Sequence, residues 1–329
     1  MLAAVLAALA ILPVRADAAF SVHRLVTDRA DPQLVNAWGL AASPTGPWWI
    51  ANEARGSSTL YSAGGRKQAL TVAVPCGPTG VVYNGGPGFV VHAGQASGPA
   101  RFIYACEDGT IRGWSPTVPH GWSKSAVVAV DAKGSGAIFK GVAIAGGRLY
   151  ATDFHTGRVL VYDSRWRRVR ARFVDKELPT GYSPFGIAAI GTRIFVTYAE
   201  PAPVDGNDSP TGGYVDEFDL GGKLVARVSG TFDEPWGVAL APAGFGRFGG
   251  DLLVANFGSG RILAFSRSAS GWERDGELPV KAPGVWGIAF GTGGMSGPRT
   301  TLFFAAGPHH WHGSSEAGVG GLLGSIAPG

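Results

Sequence analysis

The sequence predicts an all-β protein, a six-bladed β-propeller with four-stranded blades, because one short motif recurs six times along the chain. The motif is a variable residue followed by glycine and apolar residues, and its six copies are Trp38-Gly39-Leu40, Thr79-Gly80-Val81, Lys140-Gly141-Val142, Phe185-Gly186-Ile187, Trp236-Gly237-Val238 and Trp286-Gly287-Ile288. Successive motif glycines are 41, 61, 45, 51 and 50 residues apart. A period of about 40 to 50 residues is typical of propellers in which each repeat forms one blade.

A second pattern follows each motif in step and gives the other strands of the blade. It consists of two apolar runs around a polar or Gly-rich turn, as in WWIANEARGSSTLY, FIYACEDGTIRGW, LYATDFHTGRVLVY and LLVANFGSGRILAF. Short runs rich in Val, Ile, Phe, Tyr and Trp between such turns indicate strands. No segment after residue 18 keeps a helical apolar period for three turns.

Composition agrees with a folded β-protein that has many turns. The chain has 52 Gly and 22 Pro among 329 residues, which would indicate low complexity in a polar chain, but 45% of its residues are hydrophobic. The net charge of +4 is too small to predict a nucleic-acid partner.

Residues 1–18, MLAAVLAALAILPVRADA, are interpreted as a secretory signal peptide, so that residues 19–329 form the propeller domain. The segment has an apolar run and ends in a small-x-small pattern, although no basic residue precedes the run. We therefore expect an exported protein, periplasmic or extracellular, with no transmembrane segment after cleavage. An N-terminal helix or membrane anchor is the alternative.

The two cysteines are predicted to form a disulfide. Cys76 precedes the first strand of blade 2 and Cys106 ends its second strand, and antiparallel pairing brings these two places together. An even number of cysteines in an oxidising compartment favours a disulfide. A buried free Cys106 is the alternative.

The ring is predicted to close through the N-terminal strand. Phe20–Val26 alternates apolar and polar residues, and blade 6, which ends at Ile326, has only three visible strands. An unpaired sheet edge is normally covered or paired, so this segment is expected to be the outer strand of blade 6.

In blade 3, Arg168, Arg170 and Arg172 are expected to place positive charges on an exposed outer strand. In blade 4, the insertion 200–213 is expected to be a solvated turn.

Several stretches of the chain resemble a known family. They are LVNAWGLAASP, CEDGTIRGW, YATDFHTGRV, GYSPFGIAAI, EPWGVALAPAGFGRFGGDLLVANFGSGRI and GVWGIAFG. Together they resemble a family of exported bacterial β-propeller proteins described as conserved hypothetical, from about Leu25 to Ile326. The resemblance implies the fold and export but no reaction. More remotely, the blades resemble NHL repeats and gluconolactonase-type six-bladed propellers. The His-rich segment GPHHWHGSSEAGVGG in blade 6 departs from the family.

Polar residues at the ends of the second strands are candidate metal ligands. In such a blade this point returns to the level at which the first strand begins, and the residues there are Asn52, Glu107, Asp153, Tyr198, Asn256 and Ala306. Carboxylate and amide oxygens suit a hard cation such as Ca²⁺. The gluconolactonase-type resemblance implies that Glu107, Asp153, Asn52 and Asn256 hold a divalent metal. The alternative is that they bond the backbone of the following turn.

The residues that precede the motif glycines are candidate ligand-binding residues at the same mouth of the channel. They include Trp38, Lys140, Phe185, Trp236 and Trp286. An apolar floor with one cationic group is the usual constitution of a small-ligand pocket. Packing between blades is the alternative for the aromatic residues. His309, His310 and His312, together with His155, could hold Zn²⁺ or Cu²⁺ at this mouth, or simply lie in solvent.

Three classes of function remain open from the sequence. The first is an exported propeller that binds a small or oligomeric ligand at one mouth of the channel, without assigned catalysis. The second is a divalent-metal-dependent hydrolase or lactonase of gluconolactonase type. The third is a protein-interaction scaffold. The chain contains no GxSxG elbow and no Walker loop, so nucleophilic hydrolysis and nucleotide binding are not predicted.

Overall fold

The computed structural model describes residues 19–280, 282, 284–307 and 320–329. Within them, six four-stranded antiparallel sheets surround a central channel, and each inner strand contacts the inner strand of the next blade until blade 6 meets blade 1. The predicted six-bladed β-propeller is therefore confirmed. No helix among the described residues is long and apolar enough to cross a membrane.

The first three blades run outward from the channel in sequence order. Blade 1 comprises Ala37–Ala42, Trp48–Asn52, Ser57–Tyr61 and Lys67–Ala73. Blade 2 comprises Pro78–Tyr83, Phe102–Cys106, Thr110–Trp114 and Val127–Asp131. Blade 3 comprises Phe139–Ala145, Arg148–Asp153, Arg158–Asp163 and Arg168–Val169. An extra hairpin, Val90–Ala93 with Ala96–Pro99, follows the inner strand of blade 2.

The last three blades follow the same order except at the closure. Blade 4 comprises Ser183–Ile190, Arg193–Pro201, Asp208–Asp219 and Leu224–Arg227. Blade 5 comprises Pro235–Leu240, Leu252–Asn256, Arg261–Ser268 and Gly271–Glu277. Blade 6 comprises Val285–Phe290, Leu302–Ala306, Leu322–Pro328 and the N-terminal strand Phe20–Thr27. Short 3₁₀ turns lie at Glu53–Arg55, Lys133–Ser135 and Gly246–Phe248.

The N-terminal strand closes the ring as predicted. It pairs antiparallel with Leu322–Pro328, from Phe20 opposite Pro328 to Thr27 opposite Leu322. The ring of Phe20 also lies 5.0 Å from that of Phe245 in blade 5. The chain's first described strand therefore covers the outer edge that blade 6 would otherwise expose.

The predicted disulfide is present, and two expectations about the outer surface need correction. Cys76 and Cys106 are bonded, with their Cα atoms 5.4 Å apart. The blade 3 outer strand pairs only over Arg168–Val169, so Arg170 and Arg172 lie beyond it. The blade 4 insertion continues the hairpin, with Pro201 opposite Asp208, so only its tip is an open turn.

Every inner strand carries a β-bulge at its motif glycine. The register with the second strand shifts there in all six blades, for example between Ala37 and Leu40 and between Pro235 and Val238. A bulge re-aims the side chains around it. The residue before each glycine, at the start of an inner strand, is thereby directed to the channel end that we call the motif end. The strands finish at the opposite end, the far end.

The motif glycines allow neighbouring inner strands to touch backbone to backbone. A Cβ added at Gly186 would lie 2.1 Å from the Trp236 carbonyl oxygen, and one at Gly237 would lie 2.4 Å from that of Trp286. The pattern continues around the ring, since a Cβ at Gly287 would lie 2.8 Å from the Trp38 carbonyl oxygen. Any side chain at these positions would push two blades apart.

We therefore expect Gly186→Ala to destabilise the propeller by about 2–4 kcal/mol, because the methyl group would overlap the backbone of blade 5. Gly64→Ala is the matched control, since a Cβ there has no neighbour within 4 Å. Urea denaturation of both variants measures the difference. Equal midpoints for the two variants would contradict the role assigned to the motif glycine.

Candidate functional site

The aromatic residues before the motif glycines converge at the motif end and fill the channel there. Trp38, Phe185, Trp236 and Trp286 are each at most 8% exposed. The ring of Trp286 stacks on Trp38 at 3.8 Å and on Phe257 at 3.7 Å. These residues, with Phe154, form one cluster that we call the aromatic plug. These contacts are those expected if the aromatic residues pack between blades. Their role in ligand binding stays a prediction.

Lys140 brings a buried positive charge to this plug. Lys140 is 2% exposed, and its ammonium group pairs with Oε1 of Glu107. The same nitrogen lies 5.0 Å from the ring centre of Trp38 and 5.8 Å from that of Phe154. A buried ammonium is costly unless it is paired, so the carboxylate and the ring faces compensate it. The sequence had indicated Lys140 as the cationic group of this mouth.

Glu53 lies beside this ion pair. The side-chain nitrogen of Asn36 donates to Oε2 of Glu53 at 2.8 Å, and Asn36 in turn accepts the indole N–H of Trp286 at 3.1 Å. Burial raises the pKa of Glu53, and the negative charge of Glu107 raises it further, against the hydrogen bond from Asn36 and the charge of Lys140. Glu53 and Glu107 therefore share one environment.

A second pair of carboxyl groups reaches the same end of the channel from blade 4 and from the connection to blade 5. Asp208 begins the third strand of blade 4, and Glu234 precedes the inner strand of blade 5 and is 3% exposed. Burial raises the pKa of Asp208 to about 7, and the charge of Glu234 adds to it while that of Lys140 opposes it. We call Lys140 with Glu53, Glu107, Asp208 and Glu234 the Lys140 cluster.

Three of the predicted metal ligands lie at the ends of the second strands, as expected, but their side chains hydrogen-bond to neighbouring turns and strands. Asn52, Asp153 and Asn256 pair with Ala37, Phe139 and Pro235 at the start of the inner strands. The bonds are Asn52 Nδ2 to Thr59 Oγ1 at 2.9 Å, Thr156 Oγ1 to Asp153 Oδ2 at 2.5 Å, and the Asp233 amide to Asn256 Oδ1 at 2.9 Å. Asp153 and Asn256 therefore bond backbone amides, as the alternative describes, whereas Asn52 bonds only side chains and its Oδ1 is buried without a hydrogen-bond partner.

Glu107 lies one residue beyond the repeat position that was predicted for it. The second strand of blade 2 ends at Cys106, which pairs with Pro78, so Cys106 is the equivalent of Asn52. Glu107 is the equivalent of Glu53, Phe154 and Phe257, which follow the strand ends of their blades. Side chains alternate along a strand, and this shift of one residue separates the channel-facing set from the turn-facing set. Aligning WWIANE with FIYACE would have identified Glu53.

The metal prediction for Glu107, Asp153, Asn52 and Asn256 stays a prediction. In the described part of the chain, one group of three His, Cys, Asp or Glu ligand atoms lies within 4.8 Å, namely Cys76, Cys106 and Asp108, and its cysteines form the disulfide. A cation at Glu107 would compete with the Lys140 ammonium. His309, His310 and His312 lie outside the described residues, and Nδ1 of His155 lies 2.8 Å from Oδ2 of Asp205.

A cavity of about 320 Å³ occupies the channel on the far side of the plug. Its wall includes the residue that follows the motif glycine in every blade. These residues are Leu40, Val81, Val142, Ile187, Val238 and Ile288. Trp236 lies at its inner end, and no charged residue is among its described lining residues. The sequence reading missed this cavity, although a branched aliphatic residue after every motif glycine was a visible signal.

Comparisons with known proteins give relatives in a giant virus. No family model matches the chain. The uncharacterized protein R648 of Acanthamoeba polyphaga mimivirus is 31% identical over 343 residues, covering 95% of this chain and 82% of its own. The uncharacterized protein L690 of the same virus is 31% identical over 277 residues, covering 77% and 73%. These matches do not support the bacterial origin expected from the resemblance.

Solved structures with the same fold confirm the propeller class. A calcium-binding protein, regucalcin, from Agrobacterium tumefaciens has a TM-score of 0.56 at 13% identity and covers 93% of each chain. A streptogramin B lyase has a TM-score of 0.55 at 9% identity, covering 94% of this chain and 98% of its own. At these identities the likeness is one of fold alone.

The raised pKa of Asp208 predicts a pH-dependent stability. Because this pKa is about 7 in the folded protein and 3.8 is its ordinary value, the folded state holds an extra proton between these values, and stability falls as pH rises through about 7. Asp208→Asn should remove that loss, so its melting temperature relative to the parent should rise between pH 5 and pH 8, by the equivalent of about 1–3 kcal/mol.

The control for this prediction is Asp219→Asn. Backbone hydrogen bonds lower the pKa of Asp219, so it stays ionised in both folded and unfolded chains from pH 5 to pH 8. Its replacement should lower the melting temperature equally at both pH values. A pH-independent effect of Asp208→Asn would mean that Asp208 titrates normally.

Proposed function

The chain belongs to the family of the mimivirus proteins R648 and L690, and we propose that it binds a small ligand at the motif end of its channel. The ligand is one that presents hydrogen-bond donors, and no reaction is assigned to the site. The observation that carries this proposal is the buried Lys140 ammonium, held by Glu107 among further carboxyl groups at the end of a channel.

Shifted ionisable groups in a concave site are typical of functional sites. Glu53 and Asp208 both have raised pKa values, and both respond to the charge of Lys140. A buried ion pair contributes little net stability compared with well-packed apolar residues, so stability alone is a poor reason for this cluster. The Glu107 side chain is 30% exposed, so the cluster is reached from solvent.

The composition of the Lys140 cluster selects the ligand. Four carboxyl groups accompany one ammonium, so an anion is disfavoured. The Glu107 carboxylate, which already accepts from the Lys140 ammonium, only accepts hydrogen bonds, and a ligand that reaches it therefore has to supply hydroxyl or ammonium donors. A divalent ion, as in the metal-dependent alternative, would have to displace the Lys140 ammonium from Glu107.

A thermal-shift screen of the full chain tests this proposal. The probes are neutral sugars from glucose to maltohexaose, the amines choline and spermidine, and the ions Ca²⁺, Mg²⁺, Zn²⁺ and Cu²⁺. A ligand at about 100 times its Kd stabilises the native state by about 2.7 kcal/mol. We expect a sugar or an amine to raise the melting temperature and calorimetry to give a saturable heat.

Variants locate the binding. Glu107→Gln should weaken the sugar or amine about tenfold or more, because a charged hydrogen bond is lost. Glu277→Gln, on the outer edge of blade 5, is the matched control and should bind like the parent. Equal binding by both variants, or no response to any sugar or amine, would overturn the proposal. A response to ions alone would favour the metal-dependent alternative.

The proposal includes export to an oxidising compartment, supported by the Cys76–Cys106 bond. Disulfides persist in periplasmic and extracellular proteins and are rare in reducing compartments. Cys106 immediately precedes Glu107, so the bond also holds that carboxylate near the blade 1 to blade 2 connection.

We expect the protein in its natural host to be recovered outside the cytoplasm without free thiols. Cell fractionation, followed by thiol labelling of an unreduced, denatured sample, measures both points. The same sample after reduction is the control and should label at two thiols. Two free thiols before reduction would contradict the oxidised state.

A further inference from the structure

We propose that the outer surface of blade 3 binds an acidic polysaccharide through a strip of arginine side chains. The strip lies on the outside of the ring, away from the channel, and its evidence is independent of the proposed function. We call it the arginine strip, and its members are Arg165, Arg167, Arg168, Arg170 and Arg172. All five are exposed, and residues 164–174 contain no acidic residue.

Apolar anchors hold this segment against the propeller and leave its arginines outside. Val169, Ala171 and Phe173 are half-buried against the apolar cluster that blades 3 and 4 share. The ring of Phe173 lies 5.8 Å from that of Tyr150 in blade 3 and 5.2 Å from that of Phe218 in blade 4. The backbone of the strip is therefore fixed in place before any partner binds.

The arginines of this stretch share one outward side. Exposed and half-buried residues alternate from 168 to 174, which is the pattern of an extended chain. Two residues of extended chain span roughly 7 Å, so Arg168, Arg170 and Arg172 form a regular row of positive charges. Like charges at this spacing repel one another, and anionic groups that lie along the row relieve the repulsion.

Protection of a sheet edge accounts for only one of these arginines. Charges on an outer strand discourage pairing with another sheet. The outer strand of blade 3 is Arg168–Val169, so the other four arginines lie outside it. Four of the five charges are therefore left without that structural explanation.

Most of this positive charge is also uncompensated within the protein. Arg167 pairs with Asp163. In the described part of the chain, no salt bridge joins the other four arginines to a carboxylate. The guanidinium group of Arg168 instead lies 5.6 Å from the ring centre of Tyr162. The strip therefore keeps its capacity to bind anionic groups from outside.

The side-chain chemistry of the strip favours carboxylate or sulfate groups. Residues 164–174 contain five arginines and no lysine. A guanidinium group donates two parallel hydrogen bonds to a planar or forked anion, whereas a lysine offers only a point charge. A polymer that carries such anions at intervals along its chain fits a row of guanidinium groups better than a single small anion does.

The aromatic residue of the segment is not available for base stacking, which disfavours single-stranded nucleic acid. The indole N–H of Trp166 donates to the Val90 carbonyl oxygen at 2.8 Å, and its ring lies 5.0 Å from that of Phe89. Trp166 is thereby packed on the extra hairpin of blade 2. A polysaccharide needs no stacking partner, since its hydroxyl and anionic groups make the contacts.

Binding of the full chain to immobilised heparin, polygalacturonate, neutral dextran and a short DNA duplex tests the proposal. We expect saturable binding to heparin or polygalacturonate that weakens as salt rises, and none to dextran. Arg168→Gln/Arg170→Gln/Arg172→Gln should weaken that binding about tenfold or more, because charged hydrogen bonds are lost. Arg165→Gln/Arg170→Gln is a second variant, should the first fail to fold.

The matched control is Arg24→Gln/Arg29→Gln/Arg66→Gln. These three arginines are also exposed, but they belong to the N-terminal strand, the loop after it and a turn of blade 1. The control removes the same net charge from the other side of the ring, so it should bind like the parent. Four outcomes would overturn the proposal: no binding to either acidic polysaccharide, unchanged affinity in a folded strip variant, an equal loss in the control, or tighter binding to the DNA duplex than to both polysaccharides.

Discussion

The contact between neighbouring inner strands at the motif glycines is the constraint on which the rest of this structure depends. Glycine allows the Gly186 backbone to lie against the Trp236 carbonyl, and the same contact recurs around the ring. The bulge at each glycine also turns the preceding side chain to the motif end. One residue type therefore determines both how closely six blades pack and which side chains meet on the axis.

Lys140 is the one charged residue among those six side chains, four of which are aromatic. Large aromatic rings at this position fill the channel by packing on one another, whereas an ammonium group there has to be compensated. Glu107 supplies that compensation from blade 2, next to Cys106 and its disulfide, and Glu53 lies beside it. A methionine would fill the same space without these partners, so packing and stability alone do not account for the cluster.

The sequence predicted the features that repeat or alternate. Blade number, ring closure by the predicted segment Phe20–Val26 and the Cys76–Cys106 pairing all follow from strand period and antiparallel order. The sequence-based predictions were wrong for side chains whose direction depends on where a strand begins or ends. Glu107 was assigned to the position of Asn52, and Asp208 was read as part of a solvated turn. A shift of one residue in the end of a strand reverses the direction of the side chains there, and residue propensities do not determine strand ends to within one residue. The far cavity could not be predicted in volume, because it exists only once the ring closes.

The two ends of the channel differ in chemistry because one residue layer separates them. Charged and hydrogen-bonding groups gather outside the aromatic plug, and aliphatic side chains line the space inside it. Trp236 belongs to both regions, since its ring meets the cavity while its N–H holds the backbone of Lys140. The plug therefore separates the charged Lys140 cluster from the cavity on its far side.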